Sequence, residues 1–158
     1  MKKEKSLFAR LPFFVLIFSV YPSLALLSTN IREVEAGVVL RPFLASLLGA
    51  ALIAVILWIF FKDRTRAAFA TAVFLVFFFS YGHITRLLSN RLDPALNRPI
   101  QITIYLIFVV LMIMAVRWIS RKDSSVHNWT GPANIFALVL ILFPVMQISG
   151  YAIGISPT

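Results

Sequence analysis

The sequence predicts an all-α membrane protein: a bundle of five transmembrane helices with a cytoplasmic N-terminus and an external C-terminus. The prediction depends on an apolar composition, five apolar stretches of spanning length, and an uneven distribution of Lys and Arg between loops. Of the 158 residues, 60% are hydrophobic and 13% are charged, against about 45–50% and about 25% in soluble domains. Fifteen Phe residues also exclude a disordered chain. The apolar surface therefore belongs in lipid.

Five apolar stretches follow one another along the chain. A helix rises about 1.5 Å per residue, so about 17–25 residues cross the hydrocarbon layer. Each stretch must be helical because unpaired backbone groups are costly in lipid, and continuous rather than alternating apolar runs exclude a membrane barrel. In a single domain covering residues 1–158, we expect spans at about residues 11–27, 42–61, 67–88, 100–119 and 134–153.

The first stretch has a second interpretation, as a cleaved secretory signal. It has a basic start and an apolar run, and Ser23-Leu24-Ala25 is similar to a cleavage site. The run is long for a signal, and Pro22 lies where many helices end, which favours an uncleaved anchor. Cleavage would leave the orientation of the other four helices unchanged.

The distribution of Lys and Arg assigns the two sides of the membrane, because these residues collect on the cytoplasmic side. The N-terminal tail, the second loop and the fourth loop carry four, three and three of them, ten in all, against five on the other side. Trp58, Trp118 and Trp129 lie at the predicted cytoplasmic ends, whereas the four Tyr residues lie in the outer halves. Both patterns place the N-terminus in the cytoplasm.

Two groups of small residues predict faces where helices approach closely. Ser46, Ala50 and Ala54 recur every four residues on the second helix, and Gly150 and Gly154 form a GxxxG pair near the outer end of the fifth. Packing within the bundle is the first interpretation of both groups. The alternative for the two glycines is a contact between copies in a homo-oligomer.

The chain lacks the residue sets that catalysis or metal binding would need. No Asp or Glu lies inside any predicted span, which removes the carboxylate relay of proton-coupled transporters. With two His and no Cys, we expect no metal site, no cofactor and no catalytic residue in this chain. The basic loops require no nucleic acid, because anionic lipids and the membrane potential account for them.

A polar cluster is predicted near the outer membrane surface. Ser80, His83 and Arg86 share one face of the third helix because they recur every three residues, and Arg41 starts the second helix at the same level. Two interpretations stay open. The arginines extend to lipid phosphates while His83 bonds a neighbouring helix, or Arg41, His83 and Arg86 form a cationic rim that binds an anionic lipid headgroup.

Three segments resemble one family of bacterial membrane proteins. They are Val38-Val39-Leu40-Arg41-Pro42-Phe43-Leu44, the turn Lys62-Asp63-Arg64, and Phe77-Phe78-Phe79-Ser80-Tyr81-Gly82-His83. They are similar to the N-terminal five-helix region of membrane-anchored sulfatase-like proteins of the alkaline phosphatase superfamily. Phosphoethanolamine transferases and lipoteichoic acid synthases share this layout. The resemblance covers roughly residues 38–150 and implies the bacterial inner membrane.

The resemblance implies a membrane-anchor domain that presents an anionic lipid headgroup at the outer leaflet. In the family, the nucleophilic Thr or Ser and the metal-binding Asp and His belong to an extracytoplasmic domain, and no residue here matches them. Such a domain would follow Thr158. Two alternatives stay open: an oligomeric transporter or channel subunit, and an accessory subunit that docks on a larger complex through Ser46, Ala50 and Ala54.

Overall fold

The chain is all-helical in the part that the computed structural model describes, residues 11–91, 94–121 and 126–154. The prediction of an all-α chain with five helices is confirmed there. Four helices, α2 to α5, are long and apolar enough to cross a membrane, whereas α1 has 16 residues and is shorter. The helices are α1 (Phe14–Thr29), α2 (Ala36–Phe61), α3 (Arg64–Ser89), α4 (Pro94–Ser120) and α5 (Val126–Ala152).

Three helices begin well before the apolar runs that predicted them. In each, a proline lies in the second turn: Pro42 in α2, Pro99 in α4 and Pro132 in α5. The predicted spans start near these prolines, at residues 42, 100 and 134, because the apolar runs start there. A proline there removes one helical hydrogen bond, whereas unwinding the preceding turns would leave several backbone groups unpaired. Arg41 consequently lies inside α2 and not at its first residue.

Helices α1 and α3 lie at the centre of the bundle. Helix α3 packs against all four other helices, and α1 packs against α2, α3 and α5. In the described part of the chain, α4 packs closely on α3 alone. Helices α4 and α5 are therefore neighbours in sequence without being close neighbours in the bundle, unlike the three preceding pairs. This separation leaves room between α4 and α5.

The two ends of the bundle differ in their aromatic residues. A buried cluster joins the end of α2, the start of α3, the end of α4 and the start of α5 through Phe61, Ala70, Ile119 and Val126. We call this the tryptophan end, because Trp58, Trp118 and Trp129 lie within a few residues of these helix termini. The opposite end contains the end of α1 and the start of α2.

One carboxylate joins three helices at the tryptophan end. Asp63 caps α3: its Oδ1 accepts hydrogen bonds from the backbone amides of Thr65 at 2.9 Å and Arg66 at 3.2 Å. Its Oδ2 lies 3.1 Å from Nε2 of His127 on α5 and 3.4 Å from Nε of Arg66. Arg66 also donates from Nη1 to the carbonyl of Ser120, at the end of α4, at 3.3 Å. The start of α3 is thus tied to the facing ends of α4 and α5.

A buried amide holds the start of α1. The fully buried Asn134 accepts a hydrogen bond at Oδ1 from the Phe14 amide at 3.0 Å and donates from Nδ2 to the Leu11 carbonyl at 2.8 Å. The first amides of a helix lack partners within the helix, and Asn134 supplies one from α5. Asn134 lies eight residues after Val126, or about 12 Å along α5. Measured from the tryptophan end, helix α1 therefore begins about two helical turns deeper in the bundle than α5.

The small-residue face of α2 lies against α1. The hydroxyl of Ser46 donates a hydrogen bond to the carbonyl of Ser19 on α1. Ala50 is buried at 1% exposure, and Ala54 lines a groove together with Val15 of α1. Small side chains at these positions let the two backbones approach closely.

The two glycines of the predicted GxxxG pair lie in different environments. Gly150 belongs to α5, whereas Gly154 follows the last helical residue, Ala152, with a φ of 76°. Glycine takes this left-handed conformation without strain and commonly ends helices. The pair therefore does not form one helical face, as the predicted contact between copies would require.

Candidate functional site

A lateral cleft opens between α1, α3 and α5, in the half of the bundle that is farther from the tryptophan end. Its volume is about 540 Å³, and we call it the histidine cleft. Most of its wall is apolar, and polar side chains enter from α1 and α3. Pro22 and Ala25 of α1 are small enough to leave space beside the aromatic side chains. The principal lining residues are Phe18, Tyr21, Phe79, Ser80, His83 and Phe136.

Ser80 and His83 form the polar part of the cleft wall. They are three residues apart on α3 and therefore lie on the same face, one turn from each other. Ser80 is half-buried and His83 is exposed, so the exposure of these polar side chains increases toward the end of the helix. Arg86 follows after one further turn and is exposed outside the cleft. The cleft thus combines an apolar interior with a polar mouth.

Arg41 lies on another helix at a similar depth. It is five residues from the first residue of α2, and His83 is six from the last residue of α3, which correspond to about 7.5 Å and about 9 Å. Both are exposed. No hydrogen bond or ion pair joins Arg41, His83 and Arg86 to one another within the described ranges. Of the three predicted headgroup residues, His83 alone lines the cleft.

Gln147 is a further polar residue on α5, and the headgroup prediction did not include it. Its Oε1 atom is buried and has no hydrogen-bond partner in the described structure. It follows Phe136 by eleven residues and Leu140 by seven, so the helical repeat places all three on one face of α5. Phe136 and Leu140 line the histidine cleft. The sequence signal was an amide inside an apolar span, whose position gives its depth in the membrane but not the face of the helix on which it lies.

Gln101 belongs to a separate polar network. Its Nε2 donates to Oγ of Ser89 on α3 at 3.0 Å and to Oδ1 of Asn97 at 2.8 Å. Its hydrogen bonds join α3 to α4, so its role at this end of the bundle is structural.

The fold defines the class of this protein, a multi-pass helical membrane protein. No group of three or more His, Asp or Glu residues in the described part of the chain could hold a metal ion. No protein family, curated protein or solved structure matches the chain. The basic N-terminal tail, residues 1–10, and the predicted junction with a further domain after Thr158 lie outside the described residues.

Proposed function

We propose that the chain is the membrane-anchor domain of a bacterial sulfatase-like or phosphoethanolamine-transferase-like protein, and that the histidine cleft holds an anionic lipid. The observation that carries the lipid proposal is the cleft itself. Its apolar interior and its polar mouth at Ser80 and His83 match the division of a phospholipid into acyl chain and headgroup.

The acyl chain and the phosphate of such a lipid each have a partner in the cleft or beside it. The acyl chain lies among Phe18, Phe79 and Phe136, and it supplies van der Waals contacts that these side chains lack when the cleft is empty. The phosphate accepts a hydrogen bond from His83 and attracts the exposed guanidinium of Arg86.

The proposal assigns this cleft to the outer leaflet. The second and fourth loops and the N-terminal tail carry ten of the fifteen Lys and Arg residues, which favours a cytoplasmic tryptophan end. The mouth of the histidine cleft then faces outward. A bound lipid would be presented to an extracytoplasmic domain that follows Thr158.

We predict that Arg86→Ala weakens binding of phosphatidylglycerol about fivefold, because one basic residue near a membrane surface contributes about 1 kcal/mol to attraction of an anionic lipid. The side chain is exposed, so insertion and folding are retained. Native mass spectrometry of the detergent-purified chain, titrated with phosphatidylglycerol, measures the occupancy.

Arg98→Ala is the matched control, because Arg98 is an exposed arginine on α4 at the same end of the bundle. Its replacement should leave phosphatidylglycerol occupancy unchanged. Equal occupancy in the wild-type and Arg86→Ala proteins would refute the headgroup role of Arg86.

The orientation is testable by cysteine labelling, because the natural chain contains no cysteine and provides its own blank. We predict that Asn90→Cys, at the opposite end, reacts with a membrane-impermeant maleimide in spheroplasts. Arg121→Cys, at the tryptophan end, should react only after permeabilisation. Both positions are exposed. The reverse pattern would contradict the assigned orientation.

The anchor role has a separate genetic test, which is to read the source DNA downstream of codon 158. A continuing frame that encodes a Thr or Ser nucleophile with Asp and His metal ligands supports the anchor. A stop codon at that point overturns the anchor role, and lipid binding then stands by itself. A stable homo-oligomer in detergent would favour the channel-subunit alternative instead.

A further inference from the structure

A second cleft lies between α4 and α5 at the tryptophan end. Ile119 of α4 and Val126 of α5 are buried in one cluster there, and beside this contact the helices leave a space of about 420 Å³. We call this space the tryptophan cleft. Its wall includes Phe18, Phe69, Trp118, Trp129, Ala133 and Phe136. The cleft is therefore an aromatic-lined groove between two helices that do not pack closely on each other.

The mouth of the tryptophan cleft offers hydrogen-bond donors. Trp118 and Trp129 line it with exposures of 47% and 56%. Neither indole N–H has a partner among the described residues, although a tryptophan at a membrane interface normally uses this group. Arg121 follows Trp118 by one turn: its amide donates to the Trp118 carbonyl at 3.2 Å, and the residue is exposed. Two neutral donors and one cation thus lie near the cleft mouth.

The charge at this end favours an anionic occupant. In the described residues, Asp63 is the acidic group there, and it is already bound by Arg66 and His127. Four further basic residues at this end are exposed, namely Lys62, Arg64, Arg117 and Arg121. Their charge favours an anionic group, and the aromatic wall of the cleft favours an apolar chain attached to it.

We propose that the tryptophan cleft binds an anionic phospholipid from the leaflet at the tryptophan end. Its acyl chain lies along Phe18, Phe69 and Phe136, and its phosphate accepts hydrogen bonds from Arg121 and the two indoles. This cleft opens beside α4 in the leaflet at the tryptophan end, whereas the histidine cleft opens between α1, α3 and α5 toward the other leaflet. The proposal therefore requires membrane insertion but does not depend on the proposed function.

Tryptophan fluorescence tests the proposal directly, because two of the three Trp residues line the cleft. In a Trp58→Phe background, Trp118 and Trp129 are the only reporters. The full chain is reconstituted in phosphatidylcholine vesicles containing chain-brominated phosphatidylglycerol or, in parallel, chain-brominated phosphatidylcholine. Bromine quenches tryptophan at contact distance. We expect preferential quenching by brominated phosphatidylglycerol, and a loss of about fivefold in that preference in Arg121→Ala.

Arg64→Ala is the matched control for Arg121→Ala. Arg64 is an exposed cation at the same end, but its guanidinium carbon lies 5.3 Å from the centre of the Trp58 ring, on the side of α3 that faces α1 and α2. Its replacement should leave the preference intact. Arg86→Ala should do the same, which separates this site from the histidine cleft, since the two share Phe18 and Phe136.

Three outcomes would overturn the proposal. Equal quenching by the two brominated lipids would show that the cleft does not select an anion. Equal losses in Arg64→Ala and Arg121→Ala would show general attraction to the surface instead of a site. Absence of quenching by either lipid, together with a dimeric mass by analytical ultracentrifugation in detergent, would show that a second copy of the chain covers the cleft.

Discussion

Replacement of Asn134 by Leu is expected to lower the free energy of unfolding by about 2–4 kcal/mol. The substitution removes a buried hydrogen bond from the Phe14 amide and a partly buried one to the Leu11 carbonyl, and a buried group left without a partner costs about 1–3 kcal/mol. Leucine is close to asparagine in size, so packing around the site is largely retained. Titration of unfolding with SDS in mixed micelles measures the loss.

Thr71→Val is the matched control for Asn134→Leu. Thr71 is also fully buried, but its hydroxyl donates to the Ala67 carbonyl of its own helix at 2.8 Å. Removal of this local bond leaves one carbonyl that keeps its helical partner, so we expect a loss below about 1 kcal/mol. Similar losses in the two variants would contradict a special role for Asn134 in holding α1.

Ala50→Leu is expected to destabilise the bundle by about 1–3 kcal/mol, because added methyl groups in a packed interface force neighbouring side chains and backbone apart. Ala50 is 1% exposed and lies one turn from Ser46, whose hydroxyl binds the Ser19 carbonyl of α1. A leucine there cannot fit without separating α1 from α2. The same SDS titration measures the effect.

Ala51→Leu makes the identical chemical change one residue further along α2. Ala51 is exposed on the outer surface of the bundle, where a leucine meets lipid, so we expect a change within about 0.5 kcal/mol. If both variants are equally destabilised, the effect comes from α2 itself and not from its contact with α1. If neither is, the close approach of α1 and α2 is not needed for stability.

Hydropathy and residue type predicted much of the helical arrangement. The four long apolar helices coincide with apolar runs in the sequence, and Ser46 of the small-residue face donates a hydrogen bond to the Ser19 carbonyl on α1. Helix starts were predicted less well, because the apolar runs begin near Pro42, Pro99 and Pro132, which lie inside helices that begin earlier. Each proline removes one backbone hydrogen bond. The helical turns before it keep several others paired, and the sequence did not show that these turns stay helical.

The candidate sites could be predicted only in part. His83 was selected as an intramembrane ionisable residue, and the structure places it in the wall of a cleft. That Phe18 and Phe136 lie opposite it could not be deduced, because they come from segments far apart in the chain. The tryptophan cleft was equally hidden, since it exists because α4 and α5 follow each other in sequence without packing closely.

The sequence by itself determined the membrane character of this protein, its helical class and the number of helices in the described residues. These follow from local quantities: apolar content, the length of each run, and the cost of unpaired backbone groups in lipid. Only the tertiary structure decided which helices touch, where α1 begins and where clefts remain. Those properties depend on the shapes of side chains from distant segments, such as Asn134 against Phe14. Helix packing in a membrane is decided by such close contacts, because hydrophobicity no longer distinguishes one apolar surface from another.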